Sequence, residues 1–148
     1  MAVNASFAGH TYPPTAPYSV GREKIREFAE AVGAHDAVHT DQVQARARGY
    51  RDVIASPTFA VLIAQKCDRQ LIEDPEAGID FSRVVHGEQR FVHHRPITAG
   101  DEIVGVLTVD AVREAGGHAM VTTRSELSTT AGEPVCTATS TLVIRGGE

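Results

Sequence analysis

The sequence predicts an α+β fold. Helical periodicity fills the first half of the chain, up to about Glu73, and consecutive strand-like runs fill the second half from Phe81. Helices first and antiparallel strands afterwards is the α+β pattern. Between them the run Phe59–Ala64 is apolar on nearly every side, which is the signature of a buried helix. A sheet built from the later strands must wrap that helix.

The elements follow in order. Met1 to Pro17 carries Gly9, Pro13, Pro14 and Pro17 and reads as an irregular arm with at most a short strand. Tyr18-Ser19-Val20 reads as a brief strand. A helix is predicted over Gly21–Val32, because Ile25, Phe28, Ala29 and Val32 repeat at i, i+3, i+4, i+7, and Gly33 is a C-terminal stop. A polar helical piece covers Asp41–Arg48 and stops at Gly49. Ser56-Pro57-Thr58 predicts a helix start, with a hydroxyl at the N-cap and proline at the first helical position. That helix ends near Glu73, before Pro75. Strands are predicted over Phe81–His94, Glu102–Arg113, His118–Leu127 and Pro134–Ile144, with turns at Gly116-Gly117 and Ala131-Gly132. In the last strand Cys136, Ala138, Ser140, Leu142 and Ile144 share one face.

Composition narrows the function classes. The 148 residues read as one domain, 1–148, long enough for a real core. The net charge of −5 disfavours a nucleic-acid surface. No apolar run approaches a membrane span, and the N-terminus lacks the basic-then-apolar pattern of a secretory leader. Cys67 and Cys136 have no metal-ligand spacing and read as buried thiols in a reducing cytoplasm. No phosphate loop, nucleophile elbow or Cys-His motif is present, so no cofactor is expected. His86 and His94 fall on one face of their strand and His93 on the other; nothing supplies the further ligands and supporting shell of a metal site.

Several motifs resemble one family. Arg95-Pro96-Ile97-Thr98-Ala99-Gly100-Asp101-Glu102-Ile103 resembles the signature of MaoC-like hot-dog proteins, and Ile54-Ala55-Ser56-Pro57-Thr58-Phe59 resembles the start of their central helix. Gly21–Ala29 and Val85-His86-Gly87-Glu88-Gln89 resemble the HadA-like actinobacterial branch, with the N-terminal type of MaoC dehydratase domain. The resemblance implies a hot-dog fold, a curved antiparallel sheet around a long central helix. It also implies dimerisation through the sheets, and acyl thioesters of acyl carrier protein or coenzyme A as ligands. The implied reaction is reversible loss of water from a (3R)-hydroxyacyl thioester.

Catalytic members carry a Gly-Asp-x-Asn-Pro-x-His loop after the first helix. In this chain Gly33 matches its Gly and His39 its His, but Ala34 occupies the Asp position, Asp36 that of the Asn and Ala37 that of the Pro. His39 therefore reads either as a general base for the α-proton or as a hydrogen-bonding loop histidine. Asp36 reads either as a relocated catalytic acid or as a turn carboxylate. Active members also place a glycine amide near the start of the central helix to bind the thioester carbonyl. Here Pro57 falls at or next to it without an N–H, while Thr58 and Phe59 keep theirs. The resemblance thus implies an acyl pocket with Ser56, Pro57, Thr58 and Phe59 at its thioester end and an apolar wall from Phe59, Leu62 and Ile63.

Three functions follow. The first is an acyl-binding subunit of a dehydratase, in heterodimer with a subunit bearing an intact loop. The second is a self-sufficient homodimeric hydratase using Asp36 and His39. The third is a non-enzymatic acyl-binding protein. A hot-dog thioesterase is disfavoured, because Asp52 precedes the central helix and reads as a loop residue.

Overall fold

The computed structural model describes residues 3–147. Its elements are β1 (Tyr18–Ser19), α1 (Arg22–Val32), α2 (Gln42–Ala47), α3 (Val61–Ile72), β2 (Val84–His93), β3 (Glu102–Ala115), β4 (His118–Thr129) and β5 (Pro134–Ile144). The strands form one antiparallel sheet in the order β1-β3-β4-β5-β2. The sheet curls around α3, as the hot-dog expectation required.

The curl has visible causes. Pairing shifts register at His86/Glu88 in β2, at Val109/Ala111 in β3 and, opposite Leu127/Ser128 of β4, at Val135 in β5. Each such bulge bends its strand and strengthens the local twist. The helix then seats very closely on the concave face. A Cβ on Gly105 of β3 would lie 2.3 Å from the Cys67 sulfur of α3, so only glycine permits that approach. Phe59, Ile63, Cys67 and Leu71 of the α3 segment are fully buried against Leu107, Val109, Val121 and Leu127 of the sheet.

The N-terminal arm is irregular, as expected: the N–H groups of Gly9, Tyr12 and Thr15 donate to carbonyls of Val109, Leu107 and Gly105, lining the arm along β3. Three expectations need correction. Val32, placed on the buried face of α1 by spacing, is half exposed, because the helix ends there and Gly33 turns the chain away. The first strand of the meander begins at Val84, and Phe81–Arg83 form a short 3₁₀ turn capped by the Asp80 carboxylate. Regular helix starts at Val61 rather than after Ser56; residues 57–60 form tight turns with i to i+3 bonds, such as Phe59 N–H to Ser56 O at 3.0 Å. Ser56 therefore does not cap the helix.

Candidate active site

The site is assembled around one short segment, Val53–Ala55. On one side the Ala55 N–H donates to Ile97 O (2.7 Å) and the Ala99 N–H to Val53 O (3.0 Å), tying it to the loop before β3. On the other side the Ile54 N–H donates to Val38 O (3.0 Å), and the His39 imidazole donates through Nδ1 to Ile54 O (2.7 Å). The carbonyl cannot donate, so that bond puts a proton on Nδ1 and leaves Nε2 as the acceptor nitrogen of the neutral ring.

The loop carrying His39 is shaped by its sequence. Gly33 adopts a left-handed conformation (φ 72°) and its N–H reaches back to the carbonyls of Ala29 and Glu30; the Ala34 N–H also bonds Ala29 O. The chain then enters a 3₁₀ turn, Ala37–His39, capped by the Asp36 carboxylate accepting from the Val38 N–H (3.0 Å). Val38 and His39 are buried beneath it. The Arg48 guanidinium, just past α2, donates to the same Asp36 oxygen (2.7 Å). The Val38 N–H, and then Arg48, hold the Asp36 carboxyl below its ordinary range. Asp36 is exposed and ionised, and its acceptor capacity is directed at the turn and at Arg48.

A cavity of about 430 Å³ opens here, with Asp36, His39, Ser56, Pro57 and His93 in its wall. Ser56 is the notable member. Its residue is 3% exposed, and its hydroxyl oxygen is buried with no hydrogen-bond partner among the described residues. Such groups are rare in native proteins because each forfeits its bonds to water. Of the N–H groups that could serve a carbonyl, Phe59's is spent on Ser56 O, while Thr58's has no backbone partner among the described residues. Thr58 itself is exposed; Phe59 and Ile63 are core residues, Phe59 packing edge-on against Phe28 at 5.4 Å. Leu62 is half-buried beside them. Of the expected pocket, then, Ser56 and Pro57 meet His39 and Asp36 in the cavity. Thr58, Phe59, Leu62 and Ile63 are not in its wall.

His93 is the residue the sequence reading missed. The bulge at Gly87 shifts the pairing, so that His86 lies opposite Leu142 and His93 opposite Cys136, both on the concave face. Spacing had put His86 with His94. His93 donates through Nε2 to Pro57 O (2.8 Å), and His94 instead faces Thr137. The signal was present: a glycine inside a strand pattern suggests a bulge, and one extra residue flips every side chain beyond it.

Asp101 holds Arg95, a residue of the cavity wall. It is 5% exposed, and accepts from the Thr98 N–H (2.8 Å), from two nitrogens of Arg95 (2.7 and 3.1 Å) and from Arg51 (2.9 Å). Burial alone would raise its carboxyl; Arg95, Thr98 and Arg51 outweigh it and hold the group below the ordinary range. It closes the turn at Thr98 and also serves as an ionic clamp.

A family model described as the FAS1-like dehydratase domain region matches residues 6–138. The chain belongs to that family. This FAS1-like dehydratase domain is 55% identical to a protein named UPF0336 protein from Saccharopolyspora erythraea, over 99% of this chain and 94% of that protein. It is 50% identical to a UPF0336 protein from Streptomyces avermitilis, over 100% of this chain and 99% of that one. Among solved structures it superposes on a C-terminally truncated HadBC (3R-hydroxyacyl-ACP dehydratase) complex from Mycobacterium tuberculosis with TM-score 0.82 and 32% identity. That match covers 93% of this chain and 96% of that one. It superposes on a MaoC-like dehydratase with TM-score 0.87 and 35% identity, over 96% of this chain but 43% of that longer one. The family is thus the MaoC-like hot-dog dehydratases. Among the described residues no helix is long and apolar enough to cross a membrane.

Proposed function

We propose that this FAS1-like dehydratase domain is the acyl-binding subunit of a (3R)-hydroxyacyl-thioester dehydratase, of the HadA-like branch. The observation that carries the reading is the buried, unpartnered Ser56 hydroxyl in the cavity beside His39. An orphan donor in a cavity wall is supplied with a partner when a ligand carbonyl enters. The thioester carbonyl of an acyl-carrier-protein or coenzyme A substrate fits that need, aided by the Thr58 N–H.

The reaction removes the α-proton, breaks the bond from C3 to its hydroxyl, and releases that oxygen as water once it has received a proton. It needs a base and an acid. His39 is an oriented base, but Ala34 brings no acid and Asp36 is committed to Val38 and Arg48. In this reading the complete Asp–His pair belongs to a second hot-dog subunit, consistent with the two-component HadBC complex among the similar structures. The Nδ1–H bond from His39 to Ile54 O supports a second reading, a homodimeric hydratase in which His39 Nε2 takes the proton itself.

Hydration of an enoyl thioester, followed by ultraviolet absorbance with and without an intact-loop subunit, separates them. The subunit reading expects no turnover alone and turnover on mixing, with His39→Ala in this chain leaving the mixed rate nearly unchanged. Turnover by the isolated protein, lost by about two orders of magnitude or more in His39→Ala, is the size of a general-base effect and would establish the second reading instead.

A further inference from the structure

A second cavity, of about 590 Å³, lies between the C-terminal half of α3 and the edge strand β2, and shares no lining residue with the first. Asp68 is the unusual member of its wall. It is 5% exposed, on the side of the central helix that meets the sheet, and the reaction proposed above makes no use of it. The buried Thr123 hydroxyl of β4 donates to its Oδ1 at 2.7 Å. Among the described residues no group donates to Oδ2. That oxygen is not sealed: the fully buried, unpartnered side-chain atoms among those residues are Ser56 Oγ and Gln70 Nε2, and Oδ2 is not one of them. Asp68 therefore keeps access at Oδ2 while the rest of it is buried. Burial pushes its carboxyl up, and Thr123 and His86 pull it partly back. A buried carboxylate with one oxygen unpaired is destabilising until a donor reaches it.

The rest of the wall selects the donor. Arg69 and Glu73 reach the cavity too, but they are largely exposed and face each other at 3.8 Å, so their charges offset. His86 donates through Nε2 to Glu88 O at 3.1 Å, which leaves Nδ1 as the acceptor nitrogen of the neutral ring. Gln65 adds an amide carbonyl. The wall thus offers several acceptors and one uncompensated negative charge, that of Asp68. An anionic ligand is repelled by that charge. A hydroxyl brings one donor to it. A primary ammonium brings three, and its bond to a carboxylate is charge-assisted. Ile72, Val84 and Leu142 complete the wall with apolar surface that suits a hydrocarbon tail.

We propose that this cavity is a second ligand site, which binds a primary amine carrying an apolar tail, with the ammonium on Asp68 and the tail against Ile72, Val84 and Leu142. The site is separate from the one beside His39 and does not depend on the acyl-thioester reading of it. Asp68 acts by accepting the ammonium's hydrogen bond; no covalent bond is made or broken there.

Titration of the full chain with n-octylamine, 1-octanol, octanoate and n-butylamine tests it, followed by calorimetry and by the imidazole resonances of the histidines. Octylamine is expected to bind and to shift the His86 resonances while leaving those of His39 in place. Octanol, with one uncharged donor, is expected to bind about tenfold more weakly, and octanoate not at all. Butylamine, with the same head and a shorter tail, is expected to lose about tenfold or more. Asp68→Asn keeps a side-chain carbonyl for the Thr123 hydroxyl and removes the charge; it is expected to bind octylamine about tenfold more weakly than the wild type. Four outcomes overturn the proposal: no binding of octylamine, equal or tighter binding of octanol or octanoate, undiminished affinity in the folded Asp68→Asn variant, or shifts at His39 in place of His86. Should the variant not fold, the comparison of the four ligands on the wild type decides. Loss of the acyl-thioester reading in the assay above leaves this site untouched.

Discussion

Ser56 carries the functional argument because it behaves unlike a capping serine. An N-cap hydroxyl accepts a bond from the first helical turn, and its loss costs about 1 kcal/mol. The Ser56 hydroxyl has no partner among the described residues and sits buried, in a residue that lines a cavity. An unpaired buried hydroxyl is a liability of about 1–3 kcal/mol, kept where a ligand repays it. Ser56→Ala is therefore expected to melt at the same temperature as the wild type or slightly higher, while losing about tenfold in acyl-thioester affinity, one hydrogen bond's worth. Thermal melts beside ligand titration check it; a lower melting temperature with unchanged affinity would mark the serine as structural. The reading of Ser56-Pro57-Thr58 as a helix start came close in sequence and erred in role. Hydroxyl followed by proline is the right composition for a cap, but composition does not reveal that residues 57–60 wind as tight turns.

Elements position the site more than any single side chain does, and here the link between β2 and β3 matters most. Arg95 leaves the end of β2, Asp101 precedes β3, and Arg51 reaches Asp101 from the loop before α3; the ion pairs hold Arg95, which lines the cavity with His39. Asp101→Asn leaves Arg95 and the Thr98 N–H facing a weaker acceptor in a buried place, a change expected to cost about 3 kcal/mol at neutral pH. The sign with pH follows from the depressed carboxyl. Its contribution is present above the unfolded-state value, and is lost as pH falls through the lower folded-state value. Denaturant melts of wild type and variant should thus diverge at neutral pH and converge in strong acid. A gap that stays constant with pH would mean that packing, not charge, holds the link. Elements were also the part of the fold most legible in the sequence. Strand β5 runs Pro134–Ile144 as read, and Gly33 ends α1 as read, because period-2 alternation and a glycine stop are local signals. What local signals did not supply was the register after Gly87. That register decides that His93, and not His94, shares a face with His86 and bonds Pro57 O, and it depends on pairing with β5, far along the chain.

At the scale of the whole molecule, the site cavity and a second one, of about 590 Å³ between α3 and β2, take part of their walls from one strand. One has His93 in its wall and the other has His86, and both belong to β2, the edge strand of the sheet. On its inner side β2 pairs with β5; its outer side carries ten residues of backbone without a strand partner among the described residues. Monomeric proteins blunt such edges with short strands, proline or a covering segment. This edge is long, has no proline between Val84 and His93, and exposes Val85 and Val92, with Phe81 just before it 70% exposed. A second hot-dog subunit joined edge to edge on β2 would extend the sheet, cover those side chains and wall both cavities. The proposed function needs such a subunit, because an acid must come from outside this chain. The protein is accordingly expected to sediment as a dimer, alone or with its intact-loop partner. The double variant Val85→Lys and Val92→Lys, charging the edge without touching the concave face, is expected to sediment as a folded monomer and to lose both thioester binding and turnover in the mixed assay. A wild type that sediments as a monomer alone and with the partner, yet binds thioester, would show that one chain closes its own acyl site, and would move the missing acid to a residue within it.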